Sequence, residues 1–146
     1  MKNRLIIQKN NSDCGLACVA MICEVQYQLV LEHFMDLNLY AKHKKQTPYS
    51  TNFKDINSIL SRLGFEGKVQ RFKNWDDITH PSIIKIPNGR KYSFHWIVAI
   101  PHPEHKIVIY DPSFDILSYS NNPPLDEAYI HFDNFKPYGC FISCKK

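Results

Sequence analysis

Residues 15–25, GLACVAMICEV, are apolar almost without interruption. A helix that is apolar all round is enclosed by the rest of its domain rather than laid on the surface. The polar run Lys9-Asn10-Asn11-Ser12-Asp13 precedes it and reads as a loop ending in a helix cap, so the helix begins near Cys14. Upstream, residues 5–8 form a short, partly apolar segment. A second helix is predicted over 29–39, where Val30, Phe34 and Leu37 recur at helical spacing, and the polar residues 40–52 read as a loop. A third helix spans 53–63, with Phe53, Ile56, Ile59, Leu60 and Leu63 on one face and Gly64 ending it.

Beyond Gly64 the pattern changes from helical to extended. Strands are predicted over 65–72, 82–86, 95–100, 107–111, 116–119 and 139–143, with 75–78 as a short helical turn or loop. Turn residues at 87–89, 101–105 and 121–124 punctuate these runs. Helices first and strands afterwards indicate an α+β fold, with N-terminal helices packed on a C-terminal antiparallel sheet. At 146 residues, 44% of them hydrophobic, the chain is expected to form one domain over 1–146 around one core.

Charge narrows the partners. The net charge of +4 comes from lysines spread along the chain and is densest at Lys42-His43-Lys44-Lys45, with no aromatic residues interleaved. That is a solvated basic segment rather than a nucleic-acid-binding stripe, so no nucleic acid is expected as partner. No apolar run approaches the roughly 20 residues that cross a bilayer, and the N-terminus lacks the apolar stretch of a signal peptide. Five cysteines, an odd number without a CxxC pair, suit reduced thiols in a cytoplasmic setting better than a disulfide framework or a zinc site.

Cys14 stands at the first turn of the buried helix, where unpaired N–H groups and the positive end of the helix dipole stabilise a thiolate. Cys18 and Cys23 lie inside the same helix, where a thiol behaves as a small hydrophobe. Gly15 follows Cys14, and its bare backbone would let a substrate approach closely. The helix alone does not separate a nucleophile from a buried core cysteine.

Candidate partners for Cys14 come from the strands. Of seven histidines, His95 is distinctive because it opens the apolar run His95-Trp96-Ile97-Val98-Ala99-Ile100; the following strand ends at Asp111. A hairpin turning near Pro103 sets His95 directly across from Asp111, whereas a slip of one residue would send the two to opposite faces. His131 is not excluded by pattern alone. Cysteine, histidine and a carboxylate complete the parts for acyl transfer through a thioester. Gln8, six residues before Cys14, is a candidate amide donor to an oxyanion beside the Cys14 N–H.

These segments together resemble the bacterial papain-like peptidases that process bacteriocin and peptide-pheromone precursors, usually found as the N-terminal cytoplasmic domain of peptide-exporting ABC transporters. The opening QKNNSDCGLACVAM (Gln8 to Met21), Phe94-His95-Trp96-Ile97-Val98, Ile109-Tyr110-Asp111-Pro112 and Ser61-Arg62-Leu63-Gly64-Phe65 are similar to that family's motifs in the same order. The resemblance implies a papain-like fold, Cys14 as nucleophile, His95 as base, Asp111 as its orienter and Gln8 in the oxyanion hole, with no metal or cofactor. It also implies cleavage after a Gly-Gly pair at the end of a leader peptide, and a transporter as partner at the inner face of the membrane. Two features depart from the common pattern: no transmembrane or nucleotide-binding part follows, and residues 39–51 are longer and more basic. Two other readings compete: an effector or toxin using the same triad as a protease or deamidase on another protein, and a silent peptidase-like module that only docks an export substrate.

Overall fold

The computed structural model describes residues 4–10, 12–40, 47–87, 94–113 and 129–146. Among them, three α-helices come first, α1 (Cys14–Cys23), α2 (Tyr27–Asp36) and α3 (Phe53–Arg62). Six strands follow: β1 (Glu66–Arg71), β2 (Ser82–Pro87), β3 (Phe94–His102), β4 (Lys106–Tyr110), β5 (Ile130–His131) and β6 (Cys140–Lys145). They form one sheet in the order β1-β6-β2-β3-β4-β5, each neighbouring pair antiparallel. The α+β class read from the pattern is the class observed.

Helix α1 is the centre of the molecule. Every residue from Cys14 to Ile22 is buried, and the helix packs against β3, α2, α3 and β2. The small residues Gly15, Ala17 and Ala20 let neighbouring elements approach closely, while Leu16, Val19 and Met21 each contribute about 1.5–3 kcal/mol by leaving water. Glu24 adopts a left-handed conformation (φ 55°), so the helix stops before Val25, where the apolar pattern had carried it. Helix α2 begins earlier than its periodicity indicates because Tyr27 is itself a core residue, 7% exposed, bound at its hydroxyl to α1's leading residue Asp13. Helix α3 is fixed at its start by reciprocal bonds, Asp55 N–H to Asn52 Oδ1 at 2.8 Å and Asn52 N–H to Asp55 Oδ2 at 3.2 Å. Gly64, with φ +84°, ends it in the conformation that favours glycine.

The sheet has a core on each face. The helices cover Ile83, Trp96, Val98, Val108, Tyr110 and Ile142. Ile84, Ile97, Ile109 and Phe141 face the other way and are covered by Phe72, Trp75, Phe132 and Phe135, two of them on the short 3-10 turns Trp75–Asp77 and Phe132–Asn134. This double burial explains why β2 to β4 read as continuous apolar runs. Strand β5, two residues long, is too short to leave a pattern and was not expected; the strand expected over 116–119 and the basic cluster at 42–45 lie outside the described residues.

Candidate active site

The central helix carries Cys14 to the end of the sheet where β3 begins. Asp13 occupies the position before the helix, but its carboxylate does not cap it. It turns back instead, accepting from the backbone N–H groups of Lys9 and Asn10 (both 2.9 Å) and from the Tyr27 hydroxyl (2.6 Å). A buried carboxylate needs such donors. The consequence is that the first-turn amides of α1 are not spent on an Asp13 side-chain cap, at the end of the helix where Cys14 sits.

His95 Nε2 donates to Asp111 Oδ1 at 2.7 Å, and Cys14 is near enough for its side chain to act on the imidazole. With Nε2 committed to the carboxylate, Nδ1 is the ring nitrogen left for the thiol. Burial by itself lowers the histidine, but the hydrogen bonds and negative charges of Asp111 and Cys14 outweigh it and raise His95 from 6.5 to about 9.

The strand register differs from the expected one. Val98 pairs with Tyr110 and Ile100 with Val108, so the hairpin turns one residue later, and the ladder ends at Tyr110 without pairing Asp111 with His95. A shift of two positions keeps side chains on the same face, so Asp111 still reaches His95 diagonally. Ser113 is drawn into the same cluster: its N–H and its hydroxyl each approach Asp111 Oδ1 at 2.9 Å, and the hydroxyl lies 3.1 Å from His95 Nε2.

Gln8 enters from the N-terminal segment, its backbone N–H donating to the Pro112 carbonyl at 2.8 Å. The turn that carries Asp111 and Ser113 therefore also anchors the loop leading to Cys14. The Gln8 side chain donates through Nε2 to the Asn10 carbonyl at 2.6 Å, and its Oε1 is buried without a hydrogen-bond partner among the described residues. Gly15 does not open the backbone to a substrate as expected. A Cβ there would collide with Thr51 Oγ1 and lie 3.3 Å from Trp96 Cδ1, so the close approach is made from inside the protein by the loop before α3. Trp96 Nε1 donates to the Thr51 carbonyl at 3.2 Å and holds that loop in place.

Competing thiols and histidines have other roles. Burial pushes Cys18 well up, and lifts Cys23 and Cys144 to about 12, keeping them protonated. His131, left open by the sequence, lies in β5 and accepts the Asp133 N–H at 3.1 Å, shaping the adjoining turn. His102 stacks on His105 at 4.9 Å and accepts the N–H groups of Glu104 and His105, organising the β3–β4 turn. Among the described residues no group of three or more His, Cys, Asp or Glu side chains is placed to hold a metal ion.

Residues 2–123 match the model of the Peptidase C39 family. The chain belongs to that family. It is accordingly a peptidase, and the α+β architecture is the papain-like one. No curated protein sequence gives a significant match. Among solved structures, this C39 peptidase is similar to the peptidase domain of Streptococcus ComA, a bi-functional ABC transporter involved in a quorum-sensing pathway, at 20% identity over 98% of each chain and a TM-score of 0.65. A double glycine motif protease from an AMS/PCAT transporter, solved in complex with the leader peptide, aligns with 99% of this chain and 91% of its own at 17% identity and a TM-score of 0.63. The peptidase domain of Streptococcus mutans ComA aligns over 98% of this chain and 99% of its own at 18% identity, with a TM-score of 0.58. No single helix among the described residues is long and apolar enough to cross a membrane.

Three residues of this C39 peptidase were not singled out from the sequence: Ser113, Thr51 and Asp13 as an organiser of the Gln8 loop. Only Ser113 carried a local signal. An Asp followed two positions later by Ser is the composition of a turn in which the carboxylate binds the backbone ahead of it.

Proposed function

We propose that this peptidase removes the leader from a bacteriocin or peptide-pheromone precursor by cleaving after a Gly-Gly pair, with Cys14, His95 and Asp111 as its triad. The observation that carries the reading is the imidazole of His95, bound through Nε2 to Asp111 at 2.7 Å with Cys14 beside it. In the first step the Cys14 thiolate attacks the peptide carbonyl carbon, and the carbonyl oxygen becomes an oxyanion held by the Cys14 N–H and the Gln8 amide. As the C–N bond breaks, the His95 imidazolium gives its proton to the leaving amine, and a thioester remains on Cys14. Neutral His95 then takes a proton from water, whose oxygen attacks the thioester; collapse releases the leader's carboxylate and restores the thiolate–imidazolium pair. Asp111 keeps the imidazole in one tautomer and stabilises it when charged.

The family and its neighbours support the substrate and partner. The ComA and AMS/PCAT domains belong to transporters, and the latter was captured with its leader peptide, which supports a peptide substrate and a peptide-exporting ABC transporter as partner, acting at the inner face of the membrane. The test is incubation with synthetic precursors carrying or lacking a Gly-Gly junction, read by mass spectrometry. Cleavage directly after the second glycine, absent in Cys14→Ala and His95→Ala, is the expected result. Turnover retained in either variant, or cleavage indifferent to the glycines, overturns it.

A further inference from the structure

We propose that Ser113 is a positioning residue for His95: its N–H and hydroxyl lock Asp111 Oδ1 in place while the hydroxyl oxygen shares the Nε2 proton, so that one ring orientation faces Cys14. The inference rests on the Cys14, His95 and Asp111 reading and adds a group that lies just beyond the Ile109-Tyr110-Asp111-Pro112 segment.

Three donors converge on a single oxygen, Asp111 Oδ1: His95 Nε2 at 2.7 Å, Ser113 N at 2.9 Å and Ser113 Oγ at 2.9 Å. Because the Ser113 hydroxyl hydrogen points to the carboxylate, its lone pairs are what it presents to Nε2, 3.1 Å away. The Nε2 hydrogen is therefore shared between Asp111 and Ser113. The opposite tautomer, with Nε2 bare, would set a lone pair against the carboxylate. Both acceptors thus demand the same proton position, leaving Nδ1 for the thiol. A ring flip would break both contacts at once.

The place of Ser113 in the fold explains how it arrives there. The β3–β4 ladder ends at Tyr110, and the Asp111-Pro112-Ser113 turn that follows folds the Ser113 N–H back onto the carboxylate and sets the hydroxyl beside His95. Ser113 itself is exposed, so its side chain is not part of the packed core and its removal leaves no cavity.

Two variants of the full chain, Ser113→Ala and Ser113→Thr, test the proposal. The first readout is the rate at which iodoacetamide alkylates Cys14 as a function of pH, which needs no substrate. In Ser113→Ala the imidazolium is less well held, so alkylation at pH 6 is expected to slow about ten-fold and the profile to move to higher pH. The second is turnover of a Gly-Gly peptide, with kcat falling about ten-fold and KM changing less than about two-fold. Ser113→Thr keeps the hydroxyl and is expected to restore both. A Ser113→Ala enzyme equal to wild type in both readouts, or loss in both variants, overturns the assignment while leaving the triad intact. An alkylation profile unchanged in His95→Ala overturns the triad, and the Ser113 role with it.

Discussion

The Asp13 carboxylate accepts the Tyr27 hydroxyl at 2.6 Å with no solvent access to Asp13, joining the residue before the central helix to the start of α2. The same carboxylate holds the Lys9 and Asn10 amides, so the loop from Gln8 to Cys14 is tied to the helical layer through one side chain. Burial and the neighbouring carboxylate push the Tyr27 hydroxyl up, keeping it a donor across the working pH range.

Tyr27→Phe removes that donor and leaves a buried charge short of one bond. The expected cost is about 1.5–3 kcal/mol, measured as a lower urea midpoint with an unchanged slope. Asp13→Asn should be worse, because an amide must turn a donor toward one of the three groups that now donate. Equal midpoints for wild type and Tyr27→Phe would remove this tie from the account of stability.

Gly15→Ala tests the contact between α1 and the loop before α3. The added methyl meets Thr51 Oγ1, so overpacking of about 1–3 kcal/mol is expected, together with a change in Trp96 fluorescence as the Thr51 carbonyl moves off the indole N–H. Adding Thr51→Ser, which removes the threonine methyl and frees the hydroxyl to rotate, should recover part of the loss. A stable Gly15→Ala variant with unchanged fluorescence would contradict this close approach.

The His95 shift predicts pH dependence with a definite sign. Its folded-state value of about 9 stands above the ordinary 6.5, so the stabilisation from the imidazolium is complete below about pH 6.5 and is lost as pH rises through about 9. Thermal midpoints should fall across that window, and with His95 in its proposed role as the acid for the leaving amine, kcat/KM should fall along an alkaline limb near pH 9. Asp111→Asn weakens the hydrogen bond and removes the charge that raise His95, and should flatten the stability change and move the limb toward lower pH. Parallel stability curves for the two proteins would refute the assignment of the shift to Asp111.

Several elements were legible without the structure because their signals are local. The apolar run after Cys14, the one-sided pattern from Phe53 to Leu63 and the glycine that ends it, and the apolar strands after His95 each depend on neighbours within a few residues. The likeness of the Gln8 to Met21 segment and of the His95 and Asp111 strands to one peptidase family is likewise carried by the residues themselves. What the chain alone determined is thus the α+β class, the order of the main elements and the identity of the candidate nucleophile, base and carboxylate. The tertiary structure decided how they meet: the hairpin turned one residue later than expected, the turn after β4 brought Ser113 beside His95, Asp13 bound backward to the Gln8 loop and Tyr27 instead of capping α1, and Thr51 took the space beside Gly15. Those choices depend on side chains from distant segments competing for the same donors and the same volume, and no window of sequence contains both competitors.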